Sequence, residues 1–240
     1  MISLDVATDR LLHRVSYRQA FLEERYDELE LSEDDLAALQ QLDRQQLVET
    51  ANSVRRSLLE RKHRGSGGIR ATYPETITAW QEQFDDPALS LFLDRFMESE
   101  AFYRYHEVPH AGFGLSLEEA TFRFFEDEGV GESAVREREF LAGLCKALAL
   151  NPQPAFTVGA PVQRGVAGWF AVSRSEPRSL FAAVNGRYVQ GALTPFLVDL
   201  LTSDQPPEDI AATHGVPDEV VGAALTRFRS LGLLPPPSTA

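Results

Sequence analysis

The chain has 240 residues, 43% of them hydrophobic and 25% charged, with a formal net charge of −13. That apolar content is enough to build real cores in one large or two smaller domains, and it argues against disorder. No apolar run approaches the roughly 18 to 20 residues that span a bilayer, and no basic stretch followed by an apolar one opens the chain, so a soluble, cytoplasmic protein is expected.

Up to about residue 150 the pattern is a succession of about six or seven helices. Leu11, Leu12, Val15, Phe21 and Leu22 mark an opening helix, and Asp43-Arg44-Gln45-Gln46 looks like the start of another. The stretch that follows holds a confined basic patch in an acidic chain: Arg55, Arg56, Arg61, Lys62, Arg64 and Arg70, running into Gly65-Ser66-Gly67-Gly68. Glycine backbones let amides approach an anion, but the Gly-Lys-Ser/Thr ending of a phosphate-binding loop is absent. A charged helix end followed by a loop accounts for most of the pattern, with cations favoured near a helix C-terminus. A docking surface for an acidic partner is the functional alternative, because a local positive patch would orient an encounter.

Pro74 and Pro87 stand where first-turn prolines are tolerated. His106 and His110 are four apart, the spacing that puts two imidazoles on one helix face, but Pro109 disfavours helix at Val108. Tyr105 to Phe113 is therefore read as a loop. No third ligand is spaced nearby, and no metal site is expected. Ser116-Leu117-Glu118-Glu119 has the pattern of a capping box, and its helix runs through Ala120, Phe124 and Phe125 to Gly129, with a further start at Ser133. Glu126, Asp127 and Glu128 fall at its solvated end. The single cysteine, Cys145, lies in the apolar run Phe140 to Cys145 and is expected to be buried and structural. No nucleophile is accompanied by a recognisable base, so no catalytic residues and no cofactor are expected.

The pattern changes to short alternating runs after Asn151-Pro152-Gln153-Pro154, the expected boundary between a helical domain, 1–151, and a smaller α+β domain, 152–240. Ser179 to Val184 and Arg187 to Gln190 flank Asn185-Gly186, a pair that accepts positive φ at both positions and so predicts a type I′ hairpin. A helix is expected from Thr194, with Pro195 at its first position and Phe196, Leu197, Leu200 and Leu201 inward. Pro206 and Pro207 open a second, carrying Ile210 and Ala211 and ended by Gly215. Pro217 opens a third, in which Val221, Leu225 and Phe228 form the core stripe while Val220, Ala223 and Arg227 share another face. A hairpin followed by three short helices is the order of a winged-helix unit. DNA would call for a basic stripe, yet residues 151–240 hold six Lys/Arg against seven Asp/Glu.

With Gly168 to Val172 as a further strand and the ending Arg229 to Leu234, the segment from about Phe156 to Leu234 resembles the peptide-binding winged-helix module called the RiPP recognition element, typified by the pyrroloquinoline quinone chaperone. The N-terminal half is similar to the helical partner proteins of multinuclear non-haem iron oxidases, through Ala71 to Thr76, Phe92 to Phe96 and Arg123-Phe124-Phe125. These resemblances imply a non-catalytic partner that supplies no iron ligands, captures a ribosomal precursor peptide and presents it to the oxidase. The leader peptide would add as a strand along Arg187, Tyr188, Val189 and Gln190, beside a groove lined by Val220, Ala223 and Arg227. Tyr188 and Val220 could equally be ordinary core. A winged-helix DNA-binding regulator is the main alternative, and an enzyme built around His106 and His110 a further one.

Overall fold

Several helices begin where a short polar side chain caps a free backbone amide. Ser3 accepts from Val6, Ser32 from Asp35, Asp43 from Gln46, Ser116 from Glu119 and Thr194 from Leu197. The computed structural model describes residues 1–60, 67–106, 116–150 and 162–236. The helices before the sheet are α1 (Leu4–His13), α2 (Val15–Leu22), α3 (Glu33–Leu39), α4 (Arg44–Glu60), α5 (Ile69–Thr72), α6 (Pro74–Phe84), α7 (Ser90–Glu98), α8 (Glu100–His106), α9 (Leu117–Asp127) and α10 (Ser133–Leu150). A four-stranded antiparallel sheet follows, β1 (Gln163–Arg164), β2 (Gly168–Val172), β3 (Ser179–Val184) and β4 (Arg187–Ala192), in the order β1-β2-β3-β4. Helices α11 (Pro195–Thr202), α12 (Pro207–His214) and α13 (Asp218–Ser230) complete a mainly helical chain with a small α+β unit near its C-terminus. Among the described residues no helix is long and apolar enough to cross a membrane.

The N-terminal half breaks into more helices than its periodicity predicts. The single opening helix is two, because Arg14 is extended between them, and the carbonyl of Leu11 that the break frees is taken up by Arg18 Nη1 at 2.9 Å. Tyr105 and His106 belong to helix α8 rather than to a loop; the rest of that predicted loop, with His110, lies outside the described residues. Pro74 opens α6 as expected, whereas Pro87 stands in the turn before α7. The α6 N-terminus is capped from a distance: Glu139 on α10 accepts from Glu75 N at 2.7 Å, Thr76 N at 3.2 Å and Thr76 Oγ1 at 2.6 Å. At the capping box only the serine behaves as predicted, for the Glu119 carboxylate turns to Arg123 instead.

The helical core is aromatic, with Trp80, Phe92, Phe96, Phe124 and Phe125 in mutual ring contact. It does not stop at the sheet. Ala171, Phe181 and Ala183 pack into it from β2 and β3, while Phe170, Leu180, Ala182 and Val184, on the other face, pack with Phe196, Leu200, Val221 and Phe228 of the C-terminal helices. Both faces of the sheet are therefore covered, one by α10 and one by α11 to α13. This explains why α10 buries residues round most of its circumference, Cys145 included. Glu137 fastens the same junction by accepting from Arg174 N at 2.8 Å and Ser175 N at 3.0 Å. The proposed boundary sequence Asn151 to Pro154 lies outside the described residues.

Candidate functional site: an open sheet edge and a histidine–aspartate cluster

β4 is the last strand of the sheet, so one side of its backbone has no strand partner among the described residues. Asn185 and Gly186 take φ of 51° and 71°, the positive pair of a type I′ turn. Val184 and Arg187 close that turn, and in such a hairpin the closing pair exchanges both backbone bonds. By alternation Val189 and Gly191 also bond inward, and Tyr188, Gln190 and Ala192 direct their N–H and C=O groups outward. Leu193 N, which donates to Arg178 O at 2.9 Å, continues the inward series.

The side chains of β4 divide between the two covered faces. Arg187 is exposed, and Val189 is half-buried against the same cluster as Val221 and Phe228 of α13. Tyr188 is half-buried on the α10 side, with Lys146 Nζ 5.4 Å from its ring centre and its hydroxyl donating to Gln190 Oε1 at 2.8 Å. Burial, and to a lesser extent Cys145, pushes the Tyr188 phenol up to about 12. On α13, Val220 is 48% exposed and so is not core; Ala223 and Arg227 are exposed as well. The seven predicted peptide-binding residues thus include two that are anchored by packing, Tyr188 and Val189, and five that are exposed.

Of the basic patch, only Arg55, Arg56 and Arg70 lie among the described residues. Arg55 is buried at 7% exposure, pairs with Asp94 and points its Nε to Met97 Sδ at 3.3 Å, its side chain reaching from α4 to α7. It is a structural cation, and its assignment to docking is corrected. Arg70 is half-buried, with its Nε 2.7 Å from Glu60 Oε1, so its charge is already matched. Arg56 is exposed. Arg61, Lys62 and Arg64, with Gly65 and Ser66, lie outside the described residues. Gly68 has a packing reason: a Cβ there would overlap the carbonyl oxygen of Leu59.

A third group was invisible in the sequence neighbourhood of His106 and comes from α1. His106 Nδ1 lies 3.2 Å from Asp9 Oδ2, and His13 Nδ1 lies 3.3 Å from Asp9 Oδ1 and 3.0 Å from the Asp9 carbonyl oxygen. The two imidazole centroids are 4.2 Å apart, and Phe102 stacks on His106 at 5.1 Å. Burial acts to raise the Asp9 carboxyl, but hydrogen bonds from His106 and then His13 outweigh it and hold the group well below the usual carboxylate range. The available signal was the four-residue spacing of Asp9 and His13, which places both on one helix face.

A cleft of about 460 Å³ opens beside α8 and α9, lined among others by Arg104, Glu119, Phe122, Arg123 and Arg174. Its walls carry both signs of charge. No nucleophile in it is paired with a base. No protein-family model, no curated protein and no solved structure significantly matches the chain.

Proposed function

We propose that this chain is a non-catalytic, cytoplasmic maturation partner that binds a ribosomal precursor peptide by strand addition at β4 and presents it to a multinuclear non-haem iron oxidase. The observation that carries the reading is the open edge of β4, whose outward backbone groups at Tyr188, Gln190 and Ala192 offer a peptide main chain a ladder to join. Main-chain bonds would supply affinity. Selectivity would come from side chains of the peptide meeting Arg187 and the outer face of α13, where Arg227 can pair with an acidic leader residue. The packing of Tyr188 and Val189 supports this role, since a strand that is fixed on both faces loses little conformational freedom when a peptide is added. The described remnant of the basic patch, Arg56, is left for contact with the oxidase.

The acidic first turn of α13, Asp218 and Glu219, disfavours its use as a DNA-reading helix, because phosphates would meet carboxylates where the helix enters the groove. The test is recovery of the tagged chain from its native lysate at moderate salt, followed by mass spectrometry. Co-recovery of an iron-binding oxidase together with a short ribosomal peptide is expected. Enrichment of DNA fragments without either would overturn the proposal and favour a regulator.

A further inference from the structure

Three side chains from two helices that are far apart in sequence converge at the seam between the N-terminal helices and the main aromatic core. Asp9 and His13 stand one turn apart on α1, and His106 ends α8. One ligand atom from each lies within 4.8 Å of the other two. From this arrangement we infer a divalent-metal site, with Asp9, His13 and His106 as its three protein ligands and Zn²⁺ as the ion it suits best.

The chemistry of the donor set supports that choice. Two imidazoles and one carboxylate are borderline donors, the mixture that zinc takes with an open fourth position. Tetrahedral bonds of about 2.0–2.1 Å separate neighbouring donors by about 3.3–3.4 Å. His13 Nδ1 lies 3.3 Å from Asp9 Oδ1 and His106 Nδ1 lies 3.2 Å from Asp9 Oδ2, hydrogen-bond contacts to the two different carboxylate oxygens whose protons an ion would displace, so the donors are gathered but not yet at the vertices of one tetrahedron. The ligands are also held before any ion arrives: Phe102 stacks on His106 and lies 5.8 Å from His13, and the Asp9 side chain is 36% exposed, which leaves an approach from solvent. Burial differs in a useful order, with His13 nearly enclosed at 11% and His106 at 26%, so the cluster has a floor and a mouth.

An ion there would tie α1 to the end of α8, joining the apolar cluster of the first helices to the core beneath the sheet. Its fourth position would be filled by water or by a further donor beyond the three described ligands. Both imidazoles must offer an unprotonated nitrogen to the ion. The site does not depend on peptide binding at β4, and neither reading needs the other.

The experiment is titration of the full-length chain, stripped with a chelator, with Co²⁺ alone while visible absorption is followed, then displacement by Zn²⁺. Saturation at one equivalent with tetrahedral cobalt bands is expected, and Asp9→Asn and His106→Gln should each weaken uptake by about tenfold or more. His214→Gln, which alters the isolated pair with Asp199 at 2.7 Å, should leave it unchanged. Circular dichroism distinguishes a lost ligand from a lost fold, and His13, the most buried of the three, is left intact for that reason. A second readout is thermal: Zn²⁺ should raise the melting temperature of the parent chain and not of Asp9→Asn. Absence of saturable uptake, or equal affinity in the parent and both ligand variants, would overturn the assignment.

Discussion

Arg123 gives both its Nε, at 3.1 Å, and its Nη2, at 2.6 Å, to the same carboxylate oxygen of Glu119, so that the second oxygen, Oε2, is buried with no hydrogen-bond partner among the described residues. Burial is the larger influence on this carboxyl and raises it, with Arg123 only partly compensating. Burial likewise raises Glu139, against the hydrogen bonds from Thr76 and Glu75. A carboxyl raised in the folded state binds its proton more tightly there than in the unfolded chain. Stability therefore falls as pH rises from about 4.3, the unfolded value, through the folded one. Glu119→Gln should flatten that fall, as measured by urea unfolding at a series of pH values. Asp9 acts with the opposite sign: its contribution is present above about 3.9 and is lost as pH falls toward its depressed folded value.

Proline scanning separates the two sides of β4. Gln190 turns its N–H outward and Val189 turns its N–H to β3, so Gln190→Pro should keep the hairpin while removing a donor that an added strand needs. Val189→Pro should break the β3–β4 ladder. The expected pattern is loss of precursor-peptide binding with little change in melting temperature for the first, and a lowered melting temperature for the second. Retained peptide binding by a folded Gln190→Pro chain would remove the edge from the proposal.

Arg55 and Asp94 should respond unequally to substitution. The Arg55 side chain is 9% exposed and that of Asp94 45%, so Asp94→Ala strands a buried guanidinium, whereas Arg55→Met leaves a carboxylate that water can reach. The imbalance is sharpened by Arg18, whose guanidinium is lowered by burial and by repulsion from Arg55, with Asp94 opposing both. Asp94→Ala is expected to cost about 3 kcal/mol and Arg55→Met about 1 kcal/mol in denaturant unfolding.

Gly68→Ala tests what the glycines before α5 are for. With a Cβ overlapping the Leu59 carbonyl, the substitution should destabilise the chain by about 2 kcal/mol. A phosphate cradle would instead predict a loss of nucleotide binding with stability kept.

Cys145 should be silent toward thiol reagents in the native state. Burial pushes its thiol up to about 12, and it is fully enclosed between α10 and the sheet. Maleimide labelling at neutral pH is expected only after denaturant is added.

Local chemistry makes much of the C-terminal unit legible in the sequence. Asn185-Gly186 specifies a hairpin because few other pairs accept positive φ twice, and Thr194, Pro207 and Gly215 mark helix ends through caps and dihedrals that act within a few residues. The same holds for Asp43 and Ser116, which cap by reaching three residues on. What lies across the chain was not legible. Whether Arg55 faces solvent or α7 depends on how α4 is rotated, and periodicity does not report rotation where charged residues occupy both faces. That Asp9 and His13 meet His106 depends on α1 docking at the end of α8, some ninety residues away. That α10 seals one face of the sheet, leaving β4 only its edge to offer, depends on packing between halves whose patterns look independent. Sequence by itself determined the elements whose causes are local, caps, turns and apolar stripes; the tertiary structure alone decided which charges are buried and which ligands meet, because those follow from contacts that no local pattern encodes.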